Sequence, residues 1–186
     1  MARTKRCGWQ GVMAVVVLIA AGRVTTYGQA LGTVGTSGAA SDTRVRAEDP
    51  ALSALIRQAI DHSATFRSLV EAIQATDGIV YVIRGRCRNY DVRACLLLWM
   101  AVAGPNRMLR VVVDGSRRTD IETMALLGHE LRHALEVLAE PSVRTGAGMF
   151  QLYRRNGAVQ RETFETEEAI VAGNAVYREL KRSLKD

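Results

Sequence analysis

The sequence predicts an α+β domain, with helices at both ends and a small sheet between them. Three observations predict it. Two apolar stripes at helical spacing cover residues 49–76, three short β-branched or apolar runs cover 79–114, and further helical stripes run from 119 to 184. Of the 186 residues, 48% are hydrophobic and 24% charged, which excludes a disordered chain, a collagen-like rod and a coiled coil. Aromatic residues are only 5%, so the core is mostly aliphatic and stacking platforms for nucleic-acid bases are scarce.

Residues 1–30 read as an export segment. Arg3, Lys5 and Arg6 precede ten apolar residues in a row, Val12 to Ala21, and small residues follow. Ten residues are short for a span, which needs about twenty. The segment is therefore expected to be a signal peptide, with an uncleaved N-terminal anchor tethering the protein to the membrane as the alternative. Either way the domain is expected outside the cytoplasm, in a periplasmic or extracellular space. The formal net charge of +6 also owes much to this segment. Removing its four basic groups from 25 leaves 21 against 19 acidic residues, or +2. Without a basic stripe, no nucleic-acid partner is expected. Losing Cys7 leaves Cys87 and Cys95, which flank a polar loop. In an oxidising compartment they are a candidate disulfide; two buried thiols are the other reading.

Residues 31–48, rich in Gly, Ser, Thr and Ala, read as a flexible linker to a domain over 49–186. Asp49-Pro50 starts the first helix, with Asp as N-cap and Pro at the first helical position, and Leu52, Leu55, Ile56 and Ile60 form its stripe. Ser63 caps a second helix, with Phe66, Leu69, Val70 and Ile73 on its apolar face. Ile79–Ile83, Ala94–Ala103 and Met108–Asp114 read as three strands, mostly antiparallel, the last two joined at Gly104-Pro105-Asn106. Thr119-Asp120-Ile121-Glu122 is a capping box opening the strongest helix, whose stripe runs from Ile121 to Leu138. A glycine-containing loop follows, then a last helix over about 163–184.

The capped helix carries the chemistry. His129 and His133 are four apart, so both rings leave one face a single turn apart, the spacing at which two imidazoles meet one Zn2+. Glu130 projects beside that face, where it can act as general base on a metal-bound water. A catalytic zinc needs a third protein ligand. The remaining histidine, His62, lies between the first two helices and reads as a cap or surface residue. A carboxylate from the last helix is the natural choice. On a helical wheel Glu165 lies about 70° from the centre of the apolar stripe, and Glu167 and Glu168 about 130°. Glu165 is therefore the expected ligand and Glu168 the alternative. Glu136 shares the histidine face about 10 Å along the axis from His129 and reads as a supporting residue or a partner of Arg132.

His129, Glu130 and His133 resemble the zinc-binding helix of the zincin metallopeptidases. A Glu165 ligand on a later element resembles the gluzincin branch, and the order of elements looks like that of its minimal members. A metzincin extension would need Gly at 136 and His at 139, where this chain has Glu136 and Ala139. The resemblance implies a minimal zincin-like domain: two N-terminal helices, a small sheet, an active-site helix, a loop and a glutamate helix. It also implies Zn2+ as cofactor, a peptide or protein substrate lying extended along the edge strand beside the active-site helix, and hydrolysis of peptide bonds. Arg132 stands at a position usually uncharged in the family, and Ala169 where an acid often orients a histidine. Tyr153 and Tyr177 are the candidates for a transition-state donor. The alternative function is a non-catalytic zinc-binding envelope protein, whose zinc helix is structural or binds peptides without cutting them.

Overall fold

The computed structural model describes residues 43–88, 92–114, 119–155, 159–160 and 163–184. The export segment and the linker up to residue 42 lie outside the described residues. The domain is α+β. Its elements in order are β1 (Val45–Ala47), α1 (Pro50–His62), α2 (Ala64–Gln74), β2 (Gly78–Arg84), β3 (Ala94–Ala103), β4 (Asn106–Val113), α3 (Asp120–Leu138), α4 (Gly146–Arg155), β5 (Val159–Gln160), β6 (Thr163–Phe164) and α5 (Glu167–Ser183).

The helix starts follow local chemistry. Asp49 Oδ1 accepts from the Leu52 amide at 2.8 Å, and Ser63 Oγ accepts from the Phe66 amide at 3.0 Å. Thr119 and Glu122 form the reciprocal capping box of α3. Each cap satisfies amides that have no partner within the helix. The residues of the apolar stripes then bury themselves: Leu52 and Ile56 from α1, Phe66 and Ile73 from α2, Leu127 and Leu131 from α3.

The sheet differs from the expected three mostly antiparallel strands. It has four, in the order β1-β2-β4-β3, with β1–β2 and β2–β4 parallel and only β3–β4 antiparallel. β1 lies within the expected linker; its three residues are too few to show a period. The β3–β4 hairpin forms as its turn residues predict, with Gly104 at φ 56°, a conformation costly for other residues. What local signals do not reveal is that β4 returns between β3 and β2, which makes the β2–β4 pair parallel. The disulfide between Cys87 and Cys95 ties the exit of β2 to the start of β3.

Along β4, Arg107, Leu109, Val111 and Val113 point inward and are almost completely buried. With Val80 and Val82 of β2 they form the floor of the core beneath the helices. On the opposite face Arg110 lies 4.0 Å from the ring centroid of Trp99. Arg107 is an exception in this apolar row, and its bonds explain it. Its guanidinium pairs with Asp77 (Nη2–Oδ1 2.7 Å) and donates to the carbonyls of Val137, Leu138, Glu140 and Val143 at 2.7–3.3 Å. A buried cation from β4 thus gathers the carbonyls at and just beyond the C-terminal end of α3, of which Val137 and Glu140 also accept from the Glu140 and Val143 amides.

Two further differences concern the segment after α3. The glycine-containing loop includes the helix α4, which starts hard against β3: a Cβ at Gly146 would overlap the Leu98 carbonyl. The last helix begins at Glu167 rather than 163, because Thr166 is its N-cap, accepting from the Ala169 amide.

Replacing Arg107 with Met is expected to destabilise the domain by about 1–3 kcal/mol, since it removes the partner of a half-exposed Asp77 and the donor to the Leu138 and Val143 carbonyls. Arg107 holds the Asp77 carboxyl below its ordinary 3.8. The contribution of this pair is present above that value and fades as pH falls through the depressed one. Urea unfolding of both proteins at neutral and acidic pH measures the deficit and its narrowing in acid.

Candidate metal centre

α3 and α5 approach closely where a glycine of each faces a side chain of the other. A Cβ on Gly128 would stand 2.8 Å from Val176 Cγ2, and one on Gly173 would stand 3.1 Å from His129 Cβ. The two glycines let the backbones approach, so the residue just before the α5 cap reaches the histidines of α3.

Three donors meet there. His129 Nε2 and His133 Nε2 are 3.1 Å apart, and His129 Nε2 is 3.3 Å from Glu165 Oε2. All three ligand atoms lie within 4.8 Å of one another, an arrangement able to hold a metal ion. Glu165 is outside α5, so the helical wheel that favoured it does not describe its setting; it stands between β6 and the cap Thr166. Glu168, the alternative, is exposed in the first turn of α5. His62, as expected, lies elsewhere, bonded through Nδ1 to Ser183 Oγ at 2.8 Å.

The surroundings orient these donors. Glu136 Oε2 is 3.0 Å from His133 Nδ1, and its Oε1 accepts from Thr166 Oγ1 at 2.8 Å. Arg132 Nε is 3.5 Å from Glu136 Oε1, an ion-pair distance rather than a hydrogen bond. Glu136 therefore supplies the histidine-orienting acid that Ala169 cannot. Sequence reasoning allowed Glu136 a supporting role or a partnership with Arg132, and the structure shows it beside both His133 and Arg132. Tyr153 is buried, its hydroxyl donates to the His133 carbonyl at 3.2 Å, and its ring stands edge-on to that imidazole. Burial raises its pKa, so the hydroxyl keeps its proton. Tyr177 is partly exposed on α5, with Lys181 over its ring.

Glu130 is only 5% exposed, and its Oε2 accepts from the Leu96 amide of β3 at 2.7 Å. Burial raises its pKa, against the lowering effect of His133, His129 and the Leu96 bond. Burial alone would lower His129, but the Glu165 hydrogen bond and the charges of Glu130, Glu165 and Glu136 leave it raised. The same bond to His129 lowers Glu165. β3 is the outer strand of the sheet, yet on the edge expected to receive a substrate the Leu96 N–H is held by Glu130 and the Leu98 carbonyl lies against Gly146 at the start of α4, while the Leu98 side chain is exposed.

These shifts set a pH signature. In chelated protein the His129–Glu165 pair contributes stability below the unfolded histidine value of 6.5 and above the unfolded carboxylate value of 4.5. It is lost as pH rises through the raised His129 pKa or falls through the lowered Glu165 one. A divalent ion held by this group would have to displace the His129 proton, so its affinity is expected to fall by about tenfold per pH unit below that raised pKa. Calorimetry in two buffers of different ionisation enthalpy counts the released proton. Affinity unchanged over that range contradicts ligation by His129.

No protein-family model, no curated protein and no solved structure matches the chain.

Proposed function

We propose that the protein is an exported zinc-dependent peptidase with a minimal, gluzincin-type zincin domain. His129, His133 and Glu165 are its metal ligands and Glu130 its general base. The observation that carries this reading is the meeting of two imidazole nitrogens and one carboxylate oxygen at one point beside a buried glutamate. Ligand atoms about 2.0–2.1 Å from a common tetrahedral centre lie about 3.3 Å apart. Two of the three separations, 3.1 and 3.3 Å, fit that spacing, and all three atoms lie within 4.8 Å of one another. Three protein ligands also suit a site that keeps one position for substrate.

Bound Zn2+ supplies Lewis acidity toward a peptide carbonyl and lowers the pKa of water. The chain's own residues do the rest. The Leu96 amide fixes one oxygen of Glu130, and the other, Oε1, takes a proton from the attacking water. Burial raises the proton affinity of Glu130, which suits a group that accepts this proton and passes it to the leaving amine. Export is supported by the basic, then apolar, N-terminus and by the Cys87–Cys95 disulfide, a bond suited to oxidising compartments. Among the described residues no helix is long and apolar enough to cross a membrane.

One observation favours a second reading. Glu130 already has a structural bond to β3, and a glutamate limited to that bond belongs to a zinc-binding envelope protein without hydrolysis. Glu130→Gln separates the two, because the amide oxygen still accepts from Leu96. The peptidase reading expects kcat/KM on a peptide library to drop by about 100- to 10,000-fold, with zinc content by metal analysis unchanged. Equal turnover in both proteins removes Glu130 as the base.

A further inference from the structure

We propose that Glu136 and Thr166 are positioning residues, forming one side of a two-sided clasp that delivers Glu165 to the histidines. The inference rests on the ligand set proposed above and adds how the third ligand is held.

Glu165 belongs to neither β6 nor α5. A ligand on a short connection points reliably only if both neighbours are fixed, since ordering a free backbone residue costs conformational entropy. Both neighbours are fixed, and both lead back to His133. Before Glu165, the Phe164 ring stacks on Tyr153 with centroids 4.9 Å apart and an interplanar angle of 28°. Tyr153 in turn donates to the His133 carbonyl. After Glu165, Thr166 donates to Glu136, which contacts His133 Nδ1.

The chemistry of each atom makes the second path specific. A hydroxyl has one proton and two lone pairs. Thr166 uses a lone pair to cap α5 through the Ala169 amide, and its proton goes to Glu136. The cap does not need that proton. An ionised carboxylate only accepts, so Glu136 places the His133 hydrogen on Nδ1 and leaves Nε2 bare, facing His129 and the ligand focus. One acid therefore sets the tautomer of one ligand and the position of the next.

The test uses the full chain and Zn2+ competition with a chromophoric chelator at neutral pH. Thr166→Ser keeps both cap and donor and should bind like wild type. Thr166→Asp keeps a good cap but has no proton to give and opposes Glu136, so affinity should fall by about 10- to 100-fold. Adding Glu136→Gln to it should recover most of that loss, because the Gln amide donates to the new carboxylate and its oxygen accepts from His133. Wild-type affinity in Thr166→Asp, or no recovery in the double variant, overturns the clasp. Nitrogen-15 NMR of chelated wild type needs no variant: His133 should carry its proton on Nδ1, and an Nε2-protonated ring overturns the proposal. Zinc binding that follows this pattern without peptide cleavage keeps the clasp and removes the peptidase reading. A wild type that binds no Zn2+ removes both.

Discussion

A buried guanidinium holds the central helix in place. Arg107 reaches from β4 into the carbonyls that end α3 and joins them to Asp77, just ahead of β2. A charge this buried is tolerable only when every donor finds an acceptor, so the geometry around it has little freedom. The capping box fixes the other end of α3. Between two fastened ends, His129 and His133 project from a rigid rod, and the 3.1 Å between their Nε2 atoms follows from helical spacing and this anchoring.

The third member of the group, Glu165, comes from a different part of the chain, and small residues set its reach. Gly128 and Gly173 remove the side chains that would keep α3 and α5 apart. The close crossing brings the N-terminal end of α5 over the histidines. Rigid helices set the coarse distance; the short connection before Thr166 sets the fine one. Charge then completes the arrangement, as each imidazole has a carboxylate beside it, Glu165 for His129 and Glu136 for His133.

What was legible in the sequence was local. Asp49-Pro50, Ser63, the capping box and the Gly104 turn each act within four residues, and each appears where its chemistry put it. The spacing of His129, Glu130 and His133 is likewise a property of one helix. What was not legible depends on distant partners. β1 is too short to show a period, and the parallel β2–β4 pair depends on where a hairpin inserts. α4 was hidden by Gly146, which reads as a loop residue but is small because β3 passes close by. The wheel selected Glu165 by assuming a helix from about 163, whereas the helix starts four residues later, at Glu167, behind its cap Thr166. The residue meets His129 because it immediately precedes that cap. Glu136 was left as a supporting residue or a partner of Arg132, since nothing in a linear string says that Thr166 folds back onto its carboxylate.

Trp99 has a practical meaning. Beyond residue 30 it is the only indole in the chain. It sits on β3, three residues from the amide that holds Glu130, beneath the guanidinium of Arg110. In a chain that lacks residues 1–30, intrinsic fluorescence excited at the red edge of protein absorption would come from the rim of the sheet alone, giving an optical probe of this strand without any added label.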